Sequence, residues 1–196
     1  RKAAINVNIA TATLACMRVA TKETSSSPGS VANLAVERLL QDIVRDFVLD
    51  PDQYVRSLGY AAVARLCNVY GNSFTNHEIK FLVDTIVGNR EPSARAGCAM
   101  ALGSIQTKVG GMAAGYHLKT ILGILMSLCN DPHPIVHYWA LEALSLASDA
   151  AGLSFAGYVP STLGMLAQLY VSETHHPEIS SAITMNLEME LPTVAA

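Results

Sequence analysis

Three stretches of this chain align without gaps: DPDQYVRSLGYAAVARL (50–66), NREPSARAGCAMALGSI (89–105) and DPHPIVHYWALEALSLA (131–147). Each begins with a polar, proline-bearing turn. A small or β-branched residue and then a basic one follow, at Val55-Arg56, Ala94-Arg95 and Val136-His137. Counting from the first member of each pair, Gly59, Cys98 and Ala140 place a small side chain four residues on, and Val63, Leu102 and Leu144 an apolar one eight on. A weaker fourth copy, HHPEISSAITMNLEM (175–189), keeps Ile179, Ile183 and Leu187 in register. The successive steps from Val55 through Ala94 and Val136 to Ile179 are 39, 42 and 43 residues. Internal repetition limits the fold more than any single residue can, because each copy must bury its apolar face on its neighbours.

Between the copies lie NHEIKFLVDTIV (76–87), YHLKTILGILMSLC (116–129) and YVPSTLGMLAQLYV (158–171), preceded by VANLAVERLLQDIVRDFV (31–48). All carry apolar residues at helical spacing. Two helices per step of roughly 40–47 residues is the pattern of HEAT and armadillo arrays, and the two-helix unit favours HEAT. The expected fold class is therefore all-α, a HEAT-repeat α-solenoid of antiparallel helix pairs. The predicted pairs are 31–48/54–70, 76–88/92–107, 116–129/134–149 and 158–171/177–190. Each copy opens the second helix of its pair, where a proline in the first turn loses no hydrogen bond. Asp50 and Asp131 suit the positive end of the helix that follows. The small residue one turn in allows close approach to the partner helix. Glycines at 110–111, 115, 152 and 157 mark turns between pairs. Residues 31–196 read as an array of about four such repeats. Residues 3–20 read as a helix of a preceding incomplete repeat, and the polar TKETSSSPGS (21–30) as a linker.

His133 and His137 stand four residues apart and would share a helix face, which raises the question of a metal site. The alignment answers it: His137 occupies the position of Arg56 and Arg95, and His133 falls in the turn. No further ligands stand at a fixed spacing, so no metal is expected. The adjacent His175 and His176 read as a solvent-facing turn. The four cysteines, Cys16, Cys67, Cys98 and Cys129, sit singly in apolar segments and read as buried, reduced thiols. Cys98 aligns with Gly59 and Ala140, which makes it a packing residue rather than a nucleophile. The chain has no phosphate-cradling loop, nucleophile elbow, zinc-protease motif or dinucleotide fingerprint, so neither enzymatic activity nor a cofactor is expected. With a net charge of −3 and scattered basic residues, the chain offers no footprint for nucleic acid. The longest apolar run, TILGILMSLC (120–129), is about half of the ~20 residues a membrane span needs.

From about residue 50 to 172 the chain resembles the HEAT-repeat-containing protein 5 family, very large fungal and animal proteins associated with the clathrin adaptor of the trans-Golgi network and endosomes. The resembling elements are ALGS (101–104), Gly110-Gly111, His117-Leu118, GIL (123–125), WAL (139–141), LSL (144–146), Tyr158-Val159-Pro160 and Thr162-Leu163. The resemblance implies a fragment of a much longer, non-enzymatic scaffold. Its partners would be the clathrin adaptor complex or its accessory proteins, in vesicle transport between endosomes and the trans-Golgi network. The location implied is cytoplasmic, peripheral on those membranes through partners. The competing reading is a HEAT module of another system, such as nuclear transport or kinase and phosphatase regulation. The glycine-rich KVGGMAAGYHL and the WALEALSLA helix distinguish the first reading from generic HEAT consensus. An apolar last helix with few charges also suggests self-association.

In HEAT arrays the second helices line the concave side. The candidate partner-binding residues on them are Arg56, Arg65, Arg95, Lys108, His137 and Glu142, a modestly basic strip, together with Trp139. Arg56, Arg95 and His137 are expected to line up as a ladder, each bonding to an acidic residue of a neighbouring turn.

Overall fold

The structure, a computed structural model, describes residues 4–5, 7–9, 11–13, 15–16, 31–109 and 112–172. Between residues 31 and 172 the chain forms seven α-helices and one 3-10 segment, and no strand occurs among the described residues. The helices are α1 (Val31–Val48), α2 (Gln53–Tyr70), α3 (Asn72–Gly88), α4 (Pro92–Lys108), α5 (Met112–Leu128), α6 (Pro134–Ala151) and α7 (Val159–Ser172). The 3-10 segment Gly152–Tyr158 joins α6 to α7. The described residues between 4 and 16 are also helical, as read from the sequence. The expected helix 177–190 lies outside the described residues, as do the linker 21–30 and His175-His176.

The all-α class is correct, and the pairing follows the repeat. The helices α1 and α2, α3 and α4, and α5 and α6 pack as pairs across short connections, which force the chain to reverse direction. The second helices then stack in chain order, α2 on α4 and α4 on α6, and these are the most extensive contacts in the molecule. First helices touch one another far less. Two layers result: a continuous one of α2, α4 and α6, and a splayed one of α1, α3 and α5.

Burial confirms the repeat register. Val55, Ala94 and Val136 are buried, as are Gly59, Cys98 and Ala140, and Val63, Leu102 and Leu144. Helix α4, flanked by a second helix on each side, is buried along almost its whole length, from Ala94 to Ile105 apart from Arg95 and Ser104. Its run of Ala, Gly, Cys and Ser allows that, because small side chains let helix axes approach closely. The same holds at Gly59. A Cβ there would lie 2.6 Å from the backbone nitrogen of Val48, so α2 crosses the end of α1 at a distance that only glycine permits.

Three boundaries differ from the sequence reading. Helix α3 starts at Asn72, four residues before the expected 76, because a single residue separates it from α2. That residue is Gly71, at φ 79°, in the left-handed region open to glycine. Its N–H bonds to the Cys67 carbonyl, and the buried Thr75 hydroxyl bonds to the Gly71 and Cys67 carbonyls at 2.9 and 3.3 Å. Helix α5 likewise begins at Met112 rather than 116. The segment read as a glycine-marked turn at 152–157 is a 3-10 helix anchored by the buried Phe155.

Candidate functional site

The turns that open α2, α4 and α6 share one construction. Asp50, Asn89 and Asp131 each accept a hydrogen bond on Oδ1 from the backbone N–H two residues on, at Asp52, Glu91 and His133, at 2.8, 2.9 and 2.9 Å. These are Asx turns, in which a short polar side chain closes the backbone locally. The next N-caps are Asp52, Glu91 and His133. Asp52 accepts from the Tyr54 and Val55 N–H groups. The His133 Nδ1 accepts from Ile135 at 3.4 Å. Asp50 and Asp131 thus shape the turn, and the direct cap lies two residues later. His133 is a capping imidazole. Among the described residues no group of three or more His, Cys, Asp or Glu side chains could hold a metal ion.

The expected ladder forms in one of the two rungs that can be followed. Arg95 pairs with Asp131, in the turn of the next helix pair. Arg56 instead donates from Nη1 to the carbonyls of Asp50 and Pro51, at 3.0 and 2.7 Å, within its own turn. The register explains the difference. The residue one step after Asp50 is Asn89, which has no charge to offer, whereas one step after Asn89 stands Asp131. His137 is buried, and its rung would end in residues that are not described.

The seven candidate contact residues do not form one exposed strip. Arg56 and His137 are buried, not exposed; at Arg56 the next second helix lies over the side chain, whose Cδ is 3.0 Å from where a Cβ on Gly97 would stand, and burial pushes its guanidinium below its usual value. Arg95 is half-buried in its ion pair. Arg65, nine residues after Arg56, lies about 180° round the helix at about 100° per residue; it is half-buried, with Nε lacking a partner among the described residues. Lys108 is exposed at the end of α4. Trp139 is half-buried, edge-to-face with Tyr138 at 5.1 Å between ring centroids. Glu142 is half-buried; burial raises its carboxyl, and a hydrogen bond from Tyr138 partly offsets the shift. Arg65, Lys108, Trp139 and Glu142 therefore remain accessible on the α2–α4–α6 layer.

Burial of Cys67, Cys98 and Cys129 pushes each thiol up to about 12, so none is a thiolate at neutral pH. Cys16 corrects the expectation of a buried thiol: it is exposed.

Sequence reasoning missed a polar clamp between the first helices α1 and α3. Glu78, 1% exposed, accepts from Arg45 Nη2 at 2.6 Å and Nε at 3.2 Å, and from Gln41 Nε2. The Arg45 guanidinium also lies 4.0 Å over the Phe81 ring. The available signal was Glu78 itself, one turn before the buried Leu82 and so on the same face. Such a carboxylate needs a partner, and Gln41 and Arg45 stand one turn apart on α1. Beside the clamp is a cleft of about 670 Å³, lined by Glu37, Arg38 and Gln41 of α1, Tyr70 of α2, and Ser73, Phe74, Asn76, His77 and Lys80 of α3.

Over 115 residues, 59% of this chain, the sequence is 31% identical to Protein SWEETIE of Arabidopsis thaliana, a homologue of HEAT-repeat-containing protein 5. This chain resembles part of that family. The match spans about 5% of the length of that protein, so the chain corresponds to a small portion of it. No family model matches the chain, and no solved structure does. Among the described residues no helix is long and apolar enough to cross a membrane.

Proposed function

We propose that this chain is a non-enzymatic HEAT-repeat scaffold segment that binds proteins and acts with the clathrin adaptor complex in transport between endosomes and the trans-Golgi network. The observation that carries the reading is the match to Protein SWEETIE, on a chain whose helix pairs stack in the register of its own repeat. A stacked array presents a long surface over which many modest contacts add up. Arg65, Lys108, Trp139 and Glu142 are the contact residues on the α2–α4–α6 layer. Membrane association in this reading is peripheral and passes through protein partners.

The test is co-precipitation of adaptor subunits with the full-length protein, repeated with Arg65→Glu, Lys108→Glu and Trp139→Ala combined. Recovery of adaptor with the unaltered protein and reduced recovery with the variant is the expected result. Absence of adaptor from the unaltered precipitate, with adaptor still recruited to the trans-Golgi network after depletion of the protein, would overturn the reading.

A further inference from the structure

The geometry points to the cleft between α1 and α3 as a docking site for an acidic peptide segment with an aromatic anchor. This inference rests on the reading of the chain as a protein-binding scaffold and names a surface that the repeat pattern does not reveal. The cleft lies on the splayed layer, beside the clamp in which Gln41 and Arg45 of α1 hold Glu78 of α3 and Arg45 lies over the Phe81 ring.

Two features of the cleft define its occupant. Its cations are Arg38 on one wall and Lys80 on the other, both exposed and neither paired with a carboxylate among the described residues. The exposed His77 adds a donor beside Lys80. The single lining carboxylate, Glu37, is adjacent to Arg38 in sequence and about 100° away round the helix. Arg45, the remaining nearby cation, is already neutralised by Glu78. Among the lining residues two cations therefore outnumber one carboxylate, with the exposed Asp42 and Asp84 one turn further along α1 and α3, outside the lining. Two aromatic residues line the cleft as well: Tyr70 and Phe74 stand 5.2 Å apart between ring centroids, tilted by 37°. Cations on both walls of a cleft that two aromatic rings also line complement carboxylates that flank an aromatic side chain. Two cations are too few for a nucleic-acid backbone, whose binding draws on a longer basic track.

The experiment uses the 196-residue chain and a fluorescein-labelled peptide with one central phenylalanine flanked by aspartates and glutamates, followed by fluorescence anisotropy. Arg38→Glu combined with Lys80→Glu should weaken binding on the order of tenfold or more, and added salt should weaken it too. Both positions are exposed, so the fold should survive, which circular dichroism checks. Lys119→Glu makes the same kind of charge change on the exposed side of α5 and should leave binding unchanged. An alanine in place of the peptide's phenylalanine should also weaken binding. No binding of the acidic peptide, equal binding to the double variant, equal binding of the alanine peptide, or preferential binding of a single-stranded oligonucleotide would each overturn the proposal. Adaptor co-precipitation separates this failure from that of the scaffold reading. Adaptor recovered without peptide binding removes the cleft alone. Cleft-dependent peptide binding without adaptor removes the adaptor role alone.

Discussion

The joint between the first and second helix pairs and the joint between the second and third solve one problem in different places. Each stacks a second helix on the next, α2 on α4 and then α4 on α6, and among the described residues each carries one ionic connection. At the first joint the connection lies in the splayed layer, where Arg45 of α1 holds Glu78 of α3. At the second it lies in the turns, where Arg95 of α4 holds Asp131 ahead of α6. Asn89 explains why the first joint has no turn rung: the Asx turn needs only an amide or carboxylate oxygen, and Asn89 supplies that without a charge for Arg56. One position thus keeps its local backbone role in all three turns while its long-range role changes. Local structure and inter-repeat bonding are separable in this array.

The largest effect should come from breaking the first joint's connection on one side. Arg45→Met leaves the carboxylate of Glu78 buried without its ionic partner, and should cost about 3–5 kcal/mol in chemical denaturation. Arg45→Met with Glu78→Leu should recover most of that loss, since replacing a buried pair by apolar residues is often neutral. A double variant as unstable as the single one would mean that the clamp does more than satisfy Glu78.

The second joint is sharpened by comparing its apolar and ionic parts. Leu102→Ala removes a fully buried side chain of α4 and should cost about 2–5 kcal/mol. Arg95→Ala, which leaves Asp131 without its cation, should cost about 1–3 kcal/mol. If the arginine change proved the more damaging, the register that places Leu102 in the core and Arg95 at its edge would be wrong.

A smaller effect concerns pH, on the pair beyond the second joint. His117 of α5 is buried, its Nε2 has no partner among the described residues, and burial lowers its pKa from the ordinary value of 6.5. The unfolded chain then binds a proton more readily than the folded one between those two values. Stability supplied by neutral His117 is present above pH 6.5 and falls as pH drops from 6.5 toward the lowered folded value. Denaturation midpoints measured across this range should flatten in His117→Leu relative to the unaltered chain.

Much of this architecture was legible before the structure. The second helices were bounded to within two residues, because a proline turn opens each and the apolar register runs through it. Helix α3 began early because Phe74 and Thr75 are buried, a tertiary fact that the polar string around them concealed. The candidate contact strip was only partly legible. Whether the residue after Val55, Ala94 or Val136 meets solvent depends on tertiary packing that the periodicity of a single helix does not carry, so Arg56 and His137 read as surface residues and are buried. The Glu78 clamp joins residues more than thirty positions apart in the chain, beyond the reach of helical periodicity.

The central claim, that the residue opening each turn decides whether an ionic rung crosses to the next helix pair, is tested most directly by two double-mutant cycles in the same chain. One couples Arg95→Ala with Asp131→Asn. The other couples Arg56→Ala with Asn89→Ala. The account predicts a coupling of about 1 kcal/mol or more in the first and one within about 0.5 kcal/mol of zero in the second. Equal couplings in the two cycles, or none in the first, would contradict it.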